Sequence, residues 1–382
     1  MAEITASELM KLFQSMPKKE QDKFLGRVVP ETPIKHSSEN TLEKYVADER
    51  FKGGWACPHC GSVSVIRFGK LNKAKALRTP DDGEPKQRFK CKDCGKIFIS
   101  TTNSVTRGTH FDIDTWREYI RCMCLKLSLR ETAEICGISL HTAFRWRHKI
   151  LDTLQGLQDT IVLDGISELD ETFFPISYKG NYGKGMFKSK FGRKPHKRGK
   201  SGDFIVTTDK DGKEVVKAKK KKRGLSKDLV CVPCGVDRNG QSYGKVGKLG
   251  KVSTECVEKA FDGHLSEDAV LCTDKEKAYK IFENDYDLPL IQLHGTQVLK
   301  GIYHIQHINN YHSQLKKFIE NFYGVATKYL NNYIVWHNHL YYSDFETLEE
   351  KEKALMRYVF TALFEETNAE MEHRPSLPLL VE

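Results

Sequence analysis

Two cysteine pairs, Cys57-Pro-His-Cys60 and Cys91-Lys-Asp-Cys94, constrain this chain more than any other feature. Each Cys-x-x-Cys bends a tight knuckle that aims two thiolates at one point. Two knuckles close a tetrahedral four-sulfur set, which suits Zn²⁺. Gly61 and Gly95 follow the two pairs and let the backbone turn there. Between the pairs, VSVIRFGK and QRFKC alternate as strands do, and PDDGEP has turn chemistry. The reading is a zinc-ribbon domain over 41–105, folded around one structural Zn²⁺, because a metal lets a small segment fold with little core. His59 lies inside the first knuckle, but four cysteines already fill the shell. The chain has 11 cysteines, an odd number. In a reducing compartment these four are read as ligands and the other seven as small buried residues or inert thiols. Cys231 and Cys234 share the spacing but sit alone in the strand-like run VCVPCGV, so they are read as packing.

Residues 110–155 have helical periodicity. DIDTWREYIRCMCLKL is one amphipathic helix, with Asp112 or Asp114 available to cap it. LSLRETAEICGISLHTAFRWRHKIL then reads as helix-turn-helix. Ser128 and Glu131 fit a capping box, Ala133 is small where two helices approach, Gly137 sits in the turn, and Ser139 caps the second helix. The polar face of that helix carries His141, Thr142, Arg145, Arg147 and His148. Its first, second, third and fourth members are the candidate DNA contacts in a major groove. A plain helical bundle gives similar signals.

Residues 160–345 change character. IVLDGISELDETFFPISY reads as a strand pair, DFIVTTDKDGKEVV as an inserted hairpin, and LVCVPCGVDRNGQSYGKVGK as a hairpin turned at 237–240. VSTECVEKAFDGHL reads as a helix, AVLCTD as a strand, KEKAYKIFEN as a helix. Hairpins followed by alternating helix and strand predict an RNase H-like α/β domain, a mixed sheet flanked by helices. Asp170 and Asp274 each fall at the C-terminal end of a short apolar run. Asn309 and Lys316 lie close to two helical turns apart and face the same way. Two strand-borne carboxylates with a helix-borne polar group are what a divalent-metal phosphoryl-transfer site needs, since hard Mg²⁺ takes few carboxylates and keeps positions for phosphate and water. Each residue also has an ordinary reading: strand-end polar group, helix cap, surface amide and solvated lysine. Glu171 adjoins Asp170, but strand alternation sends the two side chains to opposite faces.

The sum of Lys and Arg, 61, exceeds that of Asp and Glu, 51, for a net charge of +10. The excess gathers in an insertion over 179–227 that includes Lys197, Arg198, Lys220, Lys221, Lys222 and Arg223. Such a run is a solvated loop or a phosphate-binding arm, and DNA backbone contact is the preferred reading. Its aromatic neighbours Tyr178, Tyr182, Phe187 and Phe191 could stack on bases or pack in the core. HNHLYY at 337–342 is read as a helix surface with satisfied histidines and not as a metal site. Residues 1–40 read as a helical segment and linker, and 346–382 as a charged tail with one surface or interface helix. No run reaches the ~20 apolar residues of a membrane span, and the start lacks the basic and apolar regions of a signal peptide, so a cytoplasmic protein is expected.

ELDETFFPISYKGN, the basic stretch through VCVPCGVDRNG, LCTDKEKAY and HIQHINNYHSQLKKFI together resemble the ISXO2-like transposase domain of bacterial IS1595-family insertion sequences. The resemblance spans roughly 160–345, and that family also carries N-terminal modules of the kind seen here. It implies a catalytic set of Asp170, Asp274, Asn309 and Lys316, with Asn309 where related DDE enzymes have glutamate, and His307 and Asn310 as neighbouring alternatives. It implies two Mg²⁺ or Mn²⁺ ions held by Asp170, Asp274 and Asn309. It further implies double-stranded DNA as partner (terminal inverted repeats and target), cleavage and strand transfer, and a homodimer or larger assembly. A non-catalytic DNA-binding protein derived from a transposase is the alternative, with a structure-specific nuclease as a third reading.

Overall fold

A computed structural model describes residues 42–71, 86–179, 204–208, 214–218, 229–280, 287–293, 299–343, 345 and 347–381. The predicted N-terminal segment 1–40 and all six basic residues singled out between 197 and 223 lie outside them.

Helix α1 (Leu42–Arg50) leads into a three-stranded antiparallel sheet of β1 (Val65–Lys70), β2 (Gln87–Cys91) and β3 (Ile97–Phe98), in that order. The two knuckles repeat one geometry. Gly61 N–H donates to Cys57 O at 2.8 Å and Gly95 N–H to Cys91 O at 3.1 Å. Both glycines adopt φ near +70°, at 73° and 71°, where a side chain would be strained. The buried apolar core of this unit is small: Cys57, Phe89, Cys91 and Phe98, with Trp55 stacked on Phe89.

Three helices follow: α2 (Ile113–Cys124), α3 (Leu129–Ile135) and α4 (Leu140–Gln158). The capping residues read from the sequence are in place. Asp112 Oδ1 accepts from Thr115 N–H, Ser128 and Glu131 form a reciprocal capping box, and Ser139 Oγ accepts from Thr142 N–H. Gly137, at φ 62°, supplies the left-handed turn between α3 and α4.

The larger sheet contains β4 (Ile166–Pro175), β7 (Leu229–Asp237), β8 (Ser242–Gly244), β9 (Lys248–Leu249), β10 (Val270–Thr273) and β11 (Leu290–Gln292). Its order is β11-β10-β4-β7-β8, with β9 also paired to β7. β4 runs antiparallel to β7 and parallel to β10, which is parallel to β11. β5 (Phe204–Thr208) and β6 (Glu214–Ala218) form a separate antiparallel hairpin, as expected. Helix α5 (Thr254–Phe261) joins the β9 and β10 region. α6 (Gln306–Asn321), α7 (Leu330–Tyr341), α8 (Leu348–Thr361) and α9 (Asn368–Glu372) complete the chain.

Eight of the nine residues of β7 are buried and the ninth nearly so, as a strand covered on both faces must be. One face packs Phe174, Val230, Val232, Cys234 and Val236 against α6, α7 and the α2–α4 helices. The other packs Leu169, Cys231 and Leu271 against α5 and Tyr279. Cys231 and Cys234 are packing residues, as their isolation in the sequence implied.

The C-terminal helix, expected at the surface or an interface, packs one face inward: Leu355, Val359 and Phe360 of α8 are fully buried, and α8 packs on α1, α2 and α4. Two expectations need correction. IVLDGISELDETFFPISY forms one ten-residue strand and not a pair, so Asp170 sits in mid-strand. The 337–342 segment is helical and exposes Tyr341, but His337 does not face the surface. His337 is completely buried among Tyr311, Phe318 and Tyr341. Its Nε2 has no hydrogen-bond partner among the described residues, so it is not fully satisfied.

Candidate active site

Asp170 projects from the middle of β4 toward α6. Its Oδ2 lies 3.7 Å from His312 Nδ1, and its Oδ1 accepts from Glu171 N–H at 2.9 Å. Glu171 points to the other face, where Tyr279 Oη donates to its Oε2 at 3.2 Å. The alternation read from the sequence therefore holds.

Asp274 follows β10 directly. The parallel register pairs Val270 with Ile166 and Cys272 with Glu168. β10 ends at Thr273, so Asp274 stands just past the strand beside β4, near enough to act on the Asp170 carboxyl. Asp274 Oδ1 accepts from Glu276 N–H at 2.8 Å, which fixes the turn after the strand.

This crowding has an electrostatic consequence. Burial, and then the nearby Asp274, push the Asp170 carboxyl up to about 7, against the opposing pull of the Glu171 N–H and Lys316. Burial and then the two aspartates push Glu171 up to about 8. Burial and the Lys316 charge hold His312 down to about 4, so at neutral pH it is an uncharged imidazole. Burial and neighbouring acids thus both oppose ionisation of Asp170 and of Glu171.

Helix α6 contributes the remaining members. Ile308, Tyr311, Leu315 and Ile319 face the core, whereas Asn309 and Lys316 are exposed along one side. His312 lies between them, a turn from each, and is the residue of α6 that approaches Asp170 most directly on present contacts. The sequence reading passed over it. Its spacing, i+3 from Asn309 and i−4 from Lys316, was the available signal.

Two sets of three or more His, Cys, Asp or Glu donors come within 4.8 Å of one another among the described residues. The first is Cys57, Cys60, Cys91 and Cys94, as expected. Cys57 and Cys94 are 3.6 Å apart and Cys60 and Cys91 3.7 Å. Backbone N–H groups of Cys94 and then Asp93 help draw the Cys91 thiol down to about 7. Four converging sulfurs fit a structural zinc. The second set, Glu168, His304 and His307, was not anticipated. Among the described residues, Asp170 and Asp274 are in neither set.

The candidate DNA contacts on α4 separate. His141 is exposed. Thr142 is half-buried, with its hydroxyl 2.8 Å from that of Ser139. Arg145 pairs with Glu372 at 2.9 Å. Arg147 is fully buried, so its assignment as a groove reader is corrected. It donates to Leu127 O at 2.9 Å and lies over the Trp336 ring, because the α3–α4 turn packs that side of the helix inward against α7. His148 is buried likewise and stacks on Tyr329.

Comparison with known proteins adds independent information. Residues 201–336 match the ISXO2-like transposase domain, a span that contains Asp274, Asn309 and Lys316 but not Asp170. Residues 37–97 match the transposase zinc-ribbon domain and contain all four cysteines. An uncharacterized protein in transposable element ISH50 of Halobacterium salinarum is 29% identical over 153 residues, 39% of this chain and 46% of that protein. The insertion element ISM1 uncharacterized 48.3 kDa protein of Methanobrevibacter smithii is 35% identical over 94 residues, 23% of each chain. The chain matches less than half the length of either relative. In its zinc ribbon and its ISXO2-like segment, the chain is similar to transposase proteins of IS1595-type insertion elements.

Proposed function

We propose that the protein is a DNA transposase that cuts and joins DNA at the site formed by Asp170, Asp274 and helix α6. What supports the reading is Asp170 within β4 and Asp274 just past the end of the adjacent parallel strand β10, near enough to act on Asp170, with His312 of α6 beside Asp170. Asp170, Asp274 and the Asn309 amide oxygen are the donors that would hold Mg²⁺ or Mn²⁺. When bound, such ions supply charge neutralisation and lower the pKa of the attacking water or 3′-hydroxyl. Lys316 would grip a phosphate as a point charge, and neutral His312 would orient Asp170. The order of three antiparallel strands (β8, β7, β4) followed by two parallel ones (β10, β11) supports an RNase H-like reading of the sheet.

The ribbon and the α3–α4 pair would bind the terminal inverted repeats, with His141, Thr142 and Arg145 toward DNA and the basic insertion along the phosphates. Holding two ends together calls for a dimer or larger assembly. An amide at position 309 instead of a carboxylate favours one competing reading, a transposase-derived protein that binds DNA without cutting it.

The test is a reaction of purified protein with labelled DNA carrying the element's ends, in Mg²⁺ or Mn²⁺, beside Asp170→Ala and Asp274→Ala. Metal-dependent nicking and joining lost in both variants supports the transposase. Binding without cleavage in either metal selects the DNA-binding protein, and cleavage without joining selects a nuclease.

A further inference from the structure

Glu168 lies two residues before Asp170 and on the same face of β4, yet it is fully buried and takes no part in the site described above. Its carboxyl is surrounded by donors from two segments, 304–308 at the start of α6 and Arg238. Oε2 accepts from the backbone N–H groups of His307 and Ile308, at 2.9 and 3.1 Å. Oε1 accepts from His307 Nδ1 at 2.7 Å and pairs with Arg238 Nη2 at 2.9 Å, with His304 Nδ1 at 3.3 Å. Arg238 comes from the β7–β8 turn and also donates to His304 Nε2 at 3.0 Å. The two backbone donors belong to the first turn of α6, whose N–H groups have no partner within the helix.

The opposite end of α6 is held from the same strand. Lys179, just beyond β4, donates through Nζ to Phe322 O and Gly324 O, both at 2.7 Å, where the helix ends. An acid at the positive end and a lysine at the negative end each complement the helix dipole. Between them, Asp170 meets His312.

We infer that Glu168, fastened by Arg238, is a positioning residue: it fixes the start of α6 on β4 and so sets where Asn309, His312 and Lys316 stand relative to Asp170. The inference deepens the proposed function and rests on that reading for its catalytic consequence. Glu168, His304 and His307 also have the makings of a metal site, but the Arg238 guanidinium already bridges Glu168 and His304, where a metal would have to lie. A cation there would have to displace a second cation from a buried acid, at a cost in like-charge repulsion.

The test combines two measurements on full-length protein: Glu168→Gln, Arg238→Ala and the conservative Arg238→Lys. Hydrogen exchange reads the clamp without any need for activity. Glu168→Gln and Arg238→Ala should expose the amides of residues 306–309 while the rest of α6 and the sheet stay protected, with Arg238→Lys closer to the parent. Cleavage of end-bearing DNA reads the consequence. A misplacement of about 1 Å costs on the order of a hundredfold in rate. The Glu168→Gln rate should therefore fall at least about tenfold and need more Mg²⁺ for half-maximal cleavage, with DNA affinity unchanged.

Unchanged exchange at 306–309 would overturn the clamp. Frayed amides with parental rate and Mg²⁺ dependence would overturn its positioning role. Tight Mn²⁺ binding in an Asp170→Ala/Asp274→Ala protein, lost on His304→Ala, would overturn it in favour of a metal site. Should the parent itself fail to cut while exchange follows the expected pattern, the proposed function fails and the clamp stands.

Discussion

The ribbon and the large sheet arrange their candidate metal ligands in opposite ways. The ribbon brings four soft sulfurs into a closed set with Cys57 and Cys91 buried beneath, and it has almost no other core. The sheet lies between two extensive apolar clusters. It places Asp170 and Glu171 where burial and neighbouring acids push their carboxyls up. A closed thiolate set stabilises structure, whereas an open carboxylate pair can take on water and phosphate. On the proposed function, zinc would serve the fold and a hard cation the reaction.

The largest test of this contrast is removal of the ribbon's sulfur set. Cys57→Ser or Cys91→Ser should unfold residues 55–98, because apparent zinc binding energies of ~10–16 kcal/mol stand in for the missing core. Hydrogen exchange should find the large sheet still protected. Simultaneous loss of protection in both regions would show that they fold as one unit. Next in size, Asp170→Ala and Asp274→Ala should each lower cleavage by roughly a thousandfold or more with the fold intact, as expected when charge stabilisation of the transition state is removed. Residual cleavage near the parent's level would place the chemistry elsewhere.

Stability against pH sharpens the comparison further. Asp170 and Glu171 have folded pKa values above their ordinary ones, so protonation favours the fold. That contribution is complete below about pH 4 and is lost as the pH rises through about 7 for Asp170 and about 8 for Glu171. Asp170→Asn should therefore raise the melting temperature of the metal-free sheet at pH 8 more than at pH 5, by a few degrees. A larger gain at pH 5 would reverse the assigned repulsion. Arg147→Ala should cost ~3 kcal/mol through the cavity it opens beneath Trp336. The smallest effect belongs to exposed His141→Ala, within about 0.5 kcal/mol of the parent in stability, with weaker DNA binding measured by titration. An equal loss of stability in both α4 variants would erase the distinction between its buried and exposed sides.

Local signals were legible in the sequence where local physics decides them. The Cys-x-x-Cys spacing specified the knuckles, and Asp112, Ser128 and Ser139 marked helix starts that the structure keeps. Asp274 was legible as a strand-end acid because β10 is short and stops just before it. Tertiary relations were not legible. Arg147 looks like a groove reader because charge on a helix usually means solvent, but α7 covers that side with Trp336. Asp170 was expected at a strand end, since nothing in SELDETFF announces that β4 continues to Pro175 under the cover of β7. His312 and Glu168 acquire meaning through α6 lying on β4, a contact between residues far apart in the chain. The DNA-facing roles of Lys197, Arg198 and Lys220–Arg223 stay proposals, since those residues lie outside the described ones.

In the proposed function, the acids at 170 and 274 form an open cation site distinct from the thiol set. A calorimetric Mn²⁺ titration of the zinc-loaded protein at pH 8 and at pH 5 tests this. Binding should be stronger at pH 8 and abolished by Asp170→Ala and by Asp274→Ala, with zinc retained throughout. Equal Mn²⁺ binding in the parent and both variants would rule the site out.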